Sequence, residues 1–515
     1  MFKLRRMTPT HQATSSRKRG FLCWFSSGFL ANASATCGAT LLLLVTLSNM
    51  ACSSARNTRP PNIILIYADD LGYGELGCYG QTRILTPHID QLAADGARFT
   101  QFYSAAPVCA PSRAAMLTGL HLGHVGIRDN AEVQPEGQAP LAADATTLAD
   151  DLKRAGYITA CIGKWGLGFV GSTGDPNANG FDLFFGYNCQ RQAHNYYPTH
   201  LWRNDQRVPL VGNDPTQRSE IIFAPDLMLD EALAFIEHAN ESGDATPFFL
   251  VYTTTLPHMA MQPKASDVAR YQGKFEETPY VSGKGYLPHA TPRAGYAAMI
   301  TRLDSEVGAL CEAVRRSGDA DNTVIIVTSD NGPTHDVGGV DTQFFHSTAS
   351  LRGRKGSVWE GGIRVPCIAS WPRHIDAGRV IDTPAWTVDL RATLNAFALT
   401  TSDGETDGVN LVPLLLHSEP IAPRALYWPF AGYGGQQAVR EGDWKIVRRS
   451  LDARAKKPNA TPLTALEGWE LFDLAHDPNE TTDLASTHPE IVARLAAIAT
   501  TEHTKSQTFP IPGVD

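Results

Sequence analysis

The chain has 515 residues and a formal net charge of −9, from 44 basic and 53 acidic side chains. Apolar residues make up 43 % and charged residues 19 %, proportions that exclude a disordered or collagen-like chain. The first 52 residues hold six bases and no acid, so the remainder is more acidic than the whole. That balance argues against nucleic acid as the main partner, because phosphate binding is driven by basic surface.

The first predicted element is a leader. Lys3, Arg5, Arg6, Arg17, Lys18 and Arg19 precede an uncharged stretch over 21–51 that ends in Leu41-Leu-Leu-Leu-Val45. A basic region, an apolar region and small residues near a cleavage point predict a signal peptide, with a spanning anchor as the alternative. Cys52-Ser-Ser after Met50-Ala51 resembles a bacterial lipoprotein start, although Asn49 fits that signal poorly. The expectation is an exported, periplasmic or outer-surface protein, with a membrane tether through a lipidated Cys52 as an option. Residues 1–52 are read as leader and 53–61 as linker. The nine cysteines form no Cys-x-x-Cys pair and no disulfide-scaffold spacing, which leaves room for one or two bridges.

Residues 62–67 read as a buried strand, as do 157–162, 248–252 and 323–328. Helical patterns lie over 86–96, 146–155 and 294–317. Strands alternating with helices predict an α/β fold around a large, mainly parallel sheet covered on both faces. Near residue 410 the character changes to short strands over 425–428, 437–440, 444–447 and 469–472, then a helix over 489–501. The domains are therefore read as 62–415, with a smaller C-terminal α+β subdomain over 416–515.

In open α/β sheets ligands bind at the carboxyl ends of strands. Asp69 and Asp70 follow the first strand, and Asp330, Asn331 and Gly332 follow the strand ending at Thr328. Three carboxylates and an amide suit a hard cation such as Ca²⁺ or Mg²⁺. The plainer reading is a helix cap and an Asn-Gly turn. Cys109-Ala-Pro-Ser-Arg113 opens a further helix, where a buried free cysteine is the plain alternative.

Cys109-Ala-Pro-Ser-Arg-Ala-Ala-Met-Leu-Thr-Gly119 resembles the signature of the formylglycine-dependent sulfatases, within the alkaline phosphatase superfamily. Similar segments surround Asp69 and Asp70, run over 329–332 and over 351–366, and recur at 442–447 and 469–474, in the family's order. The resemblance implies an alkaline-phosphatase-like core and hydrolysis of sulfate esters. It implies that a maturation enzyme oxidises Cys109 to formylglycine, an aldehyde whose hydrate attacks sulfur, expels the alcohol and collapses to release sulfate. It further implies that Asp69, Asp70, Asp330 and Asn331 bind calcium with residue 109. Arg113 would steady the gem-diol, Lys164 and Lys355 would hold sulfate oxygens, and His258 would contact the leaving oxygen. Cations and a proton donor at those places match the charge that develops as an S–O bond breaks.

One departure stands out. The family pattern Gly-Lys-Trp-His-Leu-Gly reads here Gly163-Lys164-Trp165-Gly166-Leu167-Gly168, so an imidazole is missing. Either another base serves or the site is impaired. His194 and His200, in the stretch 189–202, are the expected substitutes. The Arg, Gln, His, Tyr and Trp side chains of that stretch suit sugar recognition, and a plain insertion is the alternative. His121 and His124 are expected to be hydrogen-bonded rather than catalytic. A sulfated carbohydrate is the expected substrate, with an aryl sulfate as the other ester class. Two rivals remain at this point: a phosphate or phosphonate ester hydrolase of the same superfamily, and a non-catalytic sugar-binding lipoprotein.

Overall fold

Asn62–Ala68, seven buried residues rich in isoleucine and leucine, form strand β1 at the middle of the molecule. A β-strand buried on both faces needs such an unbroken apolar run. The computed structural model describes residues 59–214, 220–241, 246–281, 286–455 and 464–515. The leader over 1–52, its Cys52 and linker residues 53–58 lie outside the described residues.

The other strands of the main sheet are β2 (Ala97–Phe99), β3 (Ile158–Lys164), β4 (Leu183–Tyr187), β5 (His200–Arg203), β6 (Gln206–Pro209), β7 (Phe248–Thr253), β8 (Thr323–Ser329), β9 (Cys367–Ser370) and β10 (Arg379–Ile381). Their order is β10-β2-β9-β8-β1-β7-β3-β4-β5-β6. The central five, β8 to β4, run parallel. β9 is antiparallel to both its neighbours, and β5 and β6 extend the far edge antiparallel.

Side chains alternate across β1 as the strand period requires. Ile63, Leu65 and Tyr67 enter one core with helices α2 (Cys109–Thr118), α3 (Leu148–Arg154) and α6 (Asp389–Phe397). Ile64, Ile66 and Ala68 enter the other with α1 (Pro87–Ala94), α4 (Ala224–Glu241) and α5 (Pro292–Ser317). Helix α3 begins with a capping box, Thr147 and Asp150 satisfying each other's backbone N–H groups.

The C-terminal sheet of β11 (Ala425–Phe430), β12 (Gln436–Glu441), β13 (Trp444–Arg449) and β14 (Glu470–Asp473) is antiparallel throughout. One face holds α7 (Pro489–Thr501) through Val439, Ile446 and Leu495. The other sends Trp428, Phe430, Val447 and Phe472 into the core that contains α2. The α/β class and the small C-terminal sheet are those expected from the sequence.

Register decides what meets at the carboxyl ends. Ala68 lies opposite Ser329, so Asp69 and Asp330 leave neighbouring strands side by side. Thr253 lies opposite Gly163. The strand expected over 157–162 runs on to Lys164, which the sheet therefore holds in place. The six cysteines among the described residues, Cys109 included, are free thiols.

Candidate active site

Asp69, Asp70, Asp330 and Asn331 are fully buried, and the last three are hydrogen-bonded together. Asp70 takes a left-handed backbone (φ +67°), a conformation that Asp tolerates better than most residues. This turn points its N–H at Asp330 Oδ1, 3.0 Å away, while Asn331 Nδ2 donates to Asp70 Oδ1 at 2.8 Å. The plainer reading, a helix cap beside an unrelated turn, is thereby replaced by one joined acidic cluster.

Cys109 is the first residue of α2, after extended Val108, and Pro111 stiffens the first turn. Its Sγ lies 3.3 Å from Asp69 Oδ1. Burial and the Asp69 carboxylate push the thiol up, so the cysteine is a thiol and not a nucleophilic thiolate. One helical turn on, Arg113 places Nε and Nη2 at 3.2 and 2.9 Å from Asp330 Oδ2, and Nη1 donates to the Lys164 carbonyl at 2.6 Å.

Two lysines complete the charge balance. Lys164 Nζ lies 2.7 Å from Asp69 Oδ2. Lys355 Nζ lies 2.8 Å from Asp70, and its backbone N–H is tied to the Pro333 carbonyl beyond the acidic turn. His258 contacts the Met259 carbonyl through Nδ1, which therefore carries the ring proton, and Nε2 accepts from Lys355 Nζ at 3.0 Å. Burial, reinforced by Lys355, lowers His258 to about 3, so the ring is neutral. Burial alone would raise Asp69, but the Lys164 and Arg113 cations outweigh it and hold the carboxyl well below its usual range. Burial and the neighbouring Asp69 raise Asp330 to about 7. Three carboxylates and three cations buried together are expensive as a structural device, and such shifts concentrate at functional sites.

The donor set fits a hard divalent cation. Asp69, Asp70, Cys109 and His258 bring ligand atoms within 4.8 Å of one another, Asp330 is bonded to Asp70, and Asn331 Oδ1 is buried with no hydrogen-bond partner. Oxygen ligands of this kind suit calcium or magnesium, and a dication would relieve the carboxylate repulsion that raises Asp330. All nine site residues expected from the sequence are thus brought together.

The departure at Gly166 has a structural explanation. Its backbone has φ +81°, and a Cβ there would lie 2.6 Å from Gln190 Nε2. Gln190, a residue the sequence reading did not single out, is buried against Gly166, and its Nε2 has no hydrogen-bond partner. Only the spatial contact reveals it. The two candidate imidazoles separate clearly. His194 packs on His258 with ring centroids 4.5 Å apart, and burial with Lys164 and Lys355 lowers it to about 4. His200 instead bonds to the Glu136 carboxylate at 2.9 and 3.0 Å and lines a separate cavity of about 320 Å³ with Arg191 and Gln192. His121 and His124 are held by Asp407 and Glu502, as hydrogen-bonded histidines.

Comparisons with known proteins agree with this arrangement. A family model described as Sulfatase matches residues 61–398, and one described as N-sulphoglucosamine sulphohydrolase, C-terminal, matches 354–503. Arylsulfatase A of Bos taurus is 34 % identical over 90 % of this chain and 91 % of its own length. N-acetylgalactosamine-6-sulfatase of Homo sapiens is 30 % identical over 85 % of this chain and 84 % of its own. The crystal structure of Ps i-CgsB in complex with k-i-k-neocarrahexaose superposes with a TM-score of 0.70 and 29 % identity, covering 86 % of this chain and 93 % of that one.

Proposed function

Since the chain belongs to the sulfatase family, enzymes that hydrolyse sulfate esters, we propose that it acts on a sulfated carbohydrate through a formylglycine made from Cys109. The observation that carries this reading is Cys109 Sγ at 3.3 Å from Asp69, inside a cluster where Asn331 Oδ1 is left without a partner. A maturation enzyme would act on the motif before folding, because the folded thiol is buried. Sugar substrates are supported by the N-acetylgalactosamine-6-sulfatase relative and by the k-i-k-neocarrahexaose in the complex of the structural neighbour.

Asp69, Asp70, Asp330 and Asn331 would hold calcium, which when bound polarises an oxygen on residue 109. Formylglycine supplies a hydrated aldehyde hydroxyl as the nucleophile. The chain's own residues do the rest. Arg113, fixed on Asp330, orients residue 109 from one turn along α2. Lys164 and Lys355 present ammonium groups to the sulfate's peripheral oxygens, where charge gathers. His258 and Lys355, already sharing a hydrogen bond, meet the departing alcohol oxygen and hold the proton it needs. His194 lies against His258 and is the imidazole that stands in for the one missing at Gly166.

Mass spectrometry of the tryptic peptide 99–113 from the native host tests the modification, and hydrolysis of 4-nitrophenyl sulfate tests the chemistry. An aldehyde at position 109 with sulfate release is the expected result. A thiol in every molecule, or a preference for 4-nitrophenyl phosphate, would overturn it. We also read residues 1–52 as an export leader, supported by their charge pattern alone; amino-terminal sequencing of the mature protein checks it.

A further inference from the structure

We propose that Tyr433, braced by His335, forms an aromatic shelf at the mouth of the site on which a pyranose ring of the substrate stacks. This rests on the sulfated-carbohydrate reading above. Tyr433 sits in the turn between β11 and β12, within Gly432-Tyr-Gly-Gly435. It is 59 % exposed, so one face of the ring is open to solvent. Its backbone is left-handed (φ +52°), a strained state for a β-propensity aromatic flanked by glycines that would tolerate it better.

The turn lies on the site's own loops. The Tyr433 ring is packed over Gly356, the neighbour of Lys355, where a Cβ would fall 2.7 Å from it. Gln436 in the next strand donates to the Gly356 carbonyl at 2.7 Å, fastening the hairpin there. His335, four residues after Asn331, stacks on Tyr433 with centroids 5.7 Å apart and bonds its hydroxyl at 3.2 Å. The ring thus lies between the Lys355 segment and the loop that follows Asn331. An exposed ring held in fixed orientation beside a polar site is suited to the C–H face of a sugar.

Tyr433→Gly removes the ring and suits the backbone, so it should fold as well as the parent; Tyr433→Phe keeps the ring. With a sulfated oligosaccharide that the parent hydrolyses, Tyr433→Gly should raise KM about 3- to 10-fold with kcat within about twofold, and Tyr433→Phe should stay near the parent. Calorimetric Kd for that sugar on a Cys109→Ala background should weaken by the same factor. Equal loss with 4-nitrophenyl sulfate would place the stacked ring next to the sulfate, and loss with the oligosaccharide alone would place it one ring further on. Unchanged KM and Kd in Tyr433→Gly, or a Tyr433→Phe as impaired as Tyr433→Gly, would overturn the shelf and leave the sulfatase reading standing. If the parent carries the aldehyde yet hydrolyses no sulfate ester, the parent reading fails and the shelf fails with it.

Discussion

Gly166 and its surroundings show how a single position can be misread without its neighbours. The absent imidazole suggests a decayed site, yet Gln190 fills the space and the backbone angle demands glycine. Gly166→Ala should therefore destabilise the fold by about 1–3 kcal/mol, from strain and the clash with Gln190, seen as a lower thermal midpoint. An unshifted midpoint would show that Gln190 simply moves aside. The substitute imidazole is equally testable. His194→Ala should lower kcat at least about 10-fold with KM changed less than about twofold, as expected for a residue beside the proton-holding pair. His200→Ala, whose ring is committed to Glu136, should leave kcat near the parent value. Equal turnover in both variants would mean that no imidazole from this loop serves the reaction.

At the scale of elements, the site depends on how α5 braces the strand ends. Glu306 on α5 is fully buried and accepts from Tyr252 Oη in β7 at 3.0 Å and from Thr254 Oγ1 just past it at 3.1 Å. Burial raises this carboxyl to about 7, only partly offset by Arg302. A raised folded pKa favours the folded state while the group is protonated. That contribution is full below the unfolded value near 4.5 and is lost as pH rises to about 7. Glu306→Gln abolishes this titration. The stability of the parent relative to the variant should therefore fall by about 2–3 kcal/mol between pH 4.5 and 8, measured by urea unfolding at each pH. A pH-independent difference would mean that the carboxylate is ionised throughout.

Across the whole molecule, the C-terminal sheet is locked to the segment after Lys355 by a buried ionic triad. Lys445 Nζ in β13 lies 2.9 Å from both Glu360 and Glu480, with all three side chains shielded from water. Glu360 follows the Lys355 segment, and burial opposed by Lys445 leaves its carboxyl lowered to about 2. Removing the cation strands buried charge. Lys445→Met should lower unfolding stability by about 3–5 kcal/mol and reduce sulfate ester turnover together, because the segment carrying Lys355 loses its anchor. Full activity with an unchanged melting curve would show that the two sheets are joined by apolar packing alone.

Much of this was legible in the residues. Asp69, Asp70, Asp330 and Asn331 each follow an apolar, mostly β-branched run, and parallel strands must deliver their carboxyl ends to one side. Cys109 and Arg113 are one helical turn apart, a distance that local geometry sets by itself. Local sequence reaches that far because strand polarity and helix period are properties of the chain. Short strands at the far side of the sheet, His200–Arg203 and Gln206–Pro209, carry no such run and went unread. The tertiary structure alone decided that Lys355 reaches Asp70 from 285 residues away, that His194 and not His200 meets His258, and that Gln190 takes the space at Gly166. It alone joined Tyr433 to His335 across 98 residues. Those contacts depend on register and on how two sheets pack, and no periodicity in the chain records either.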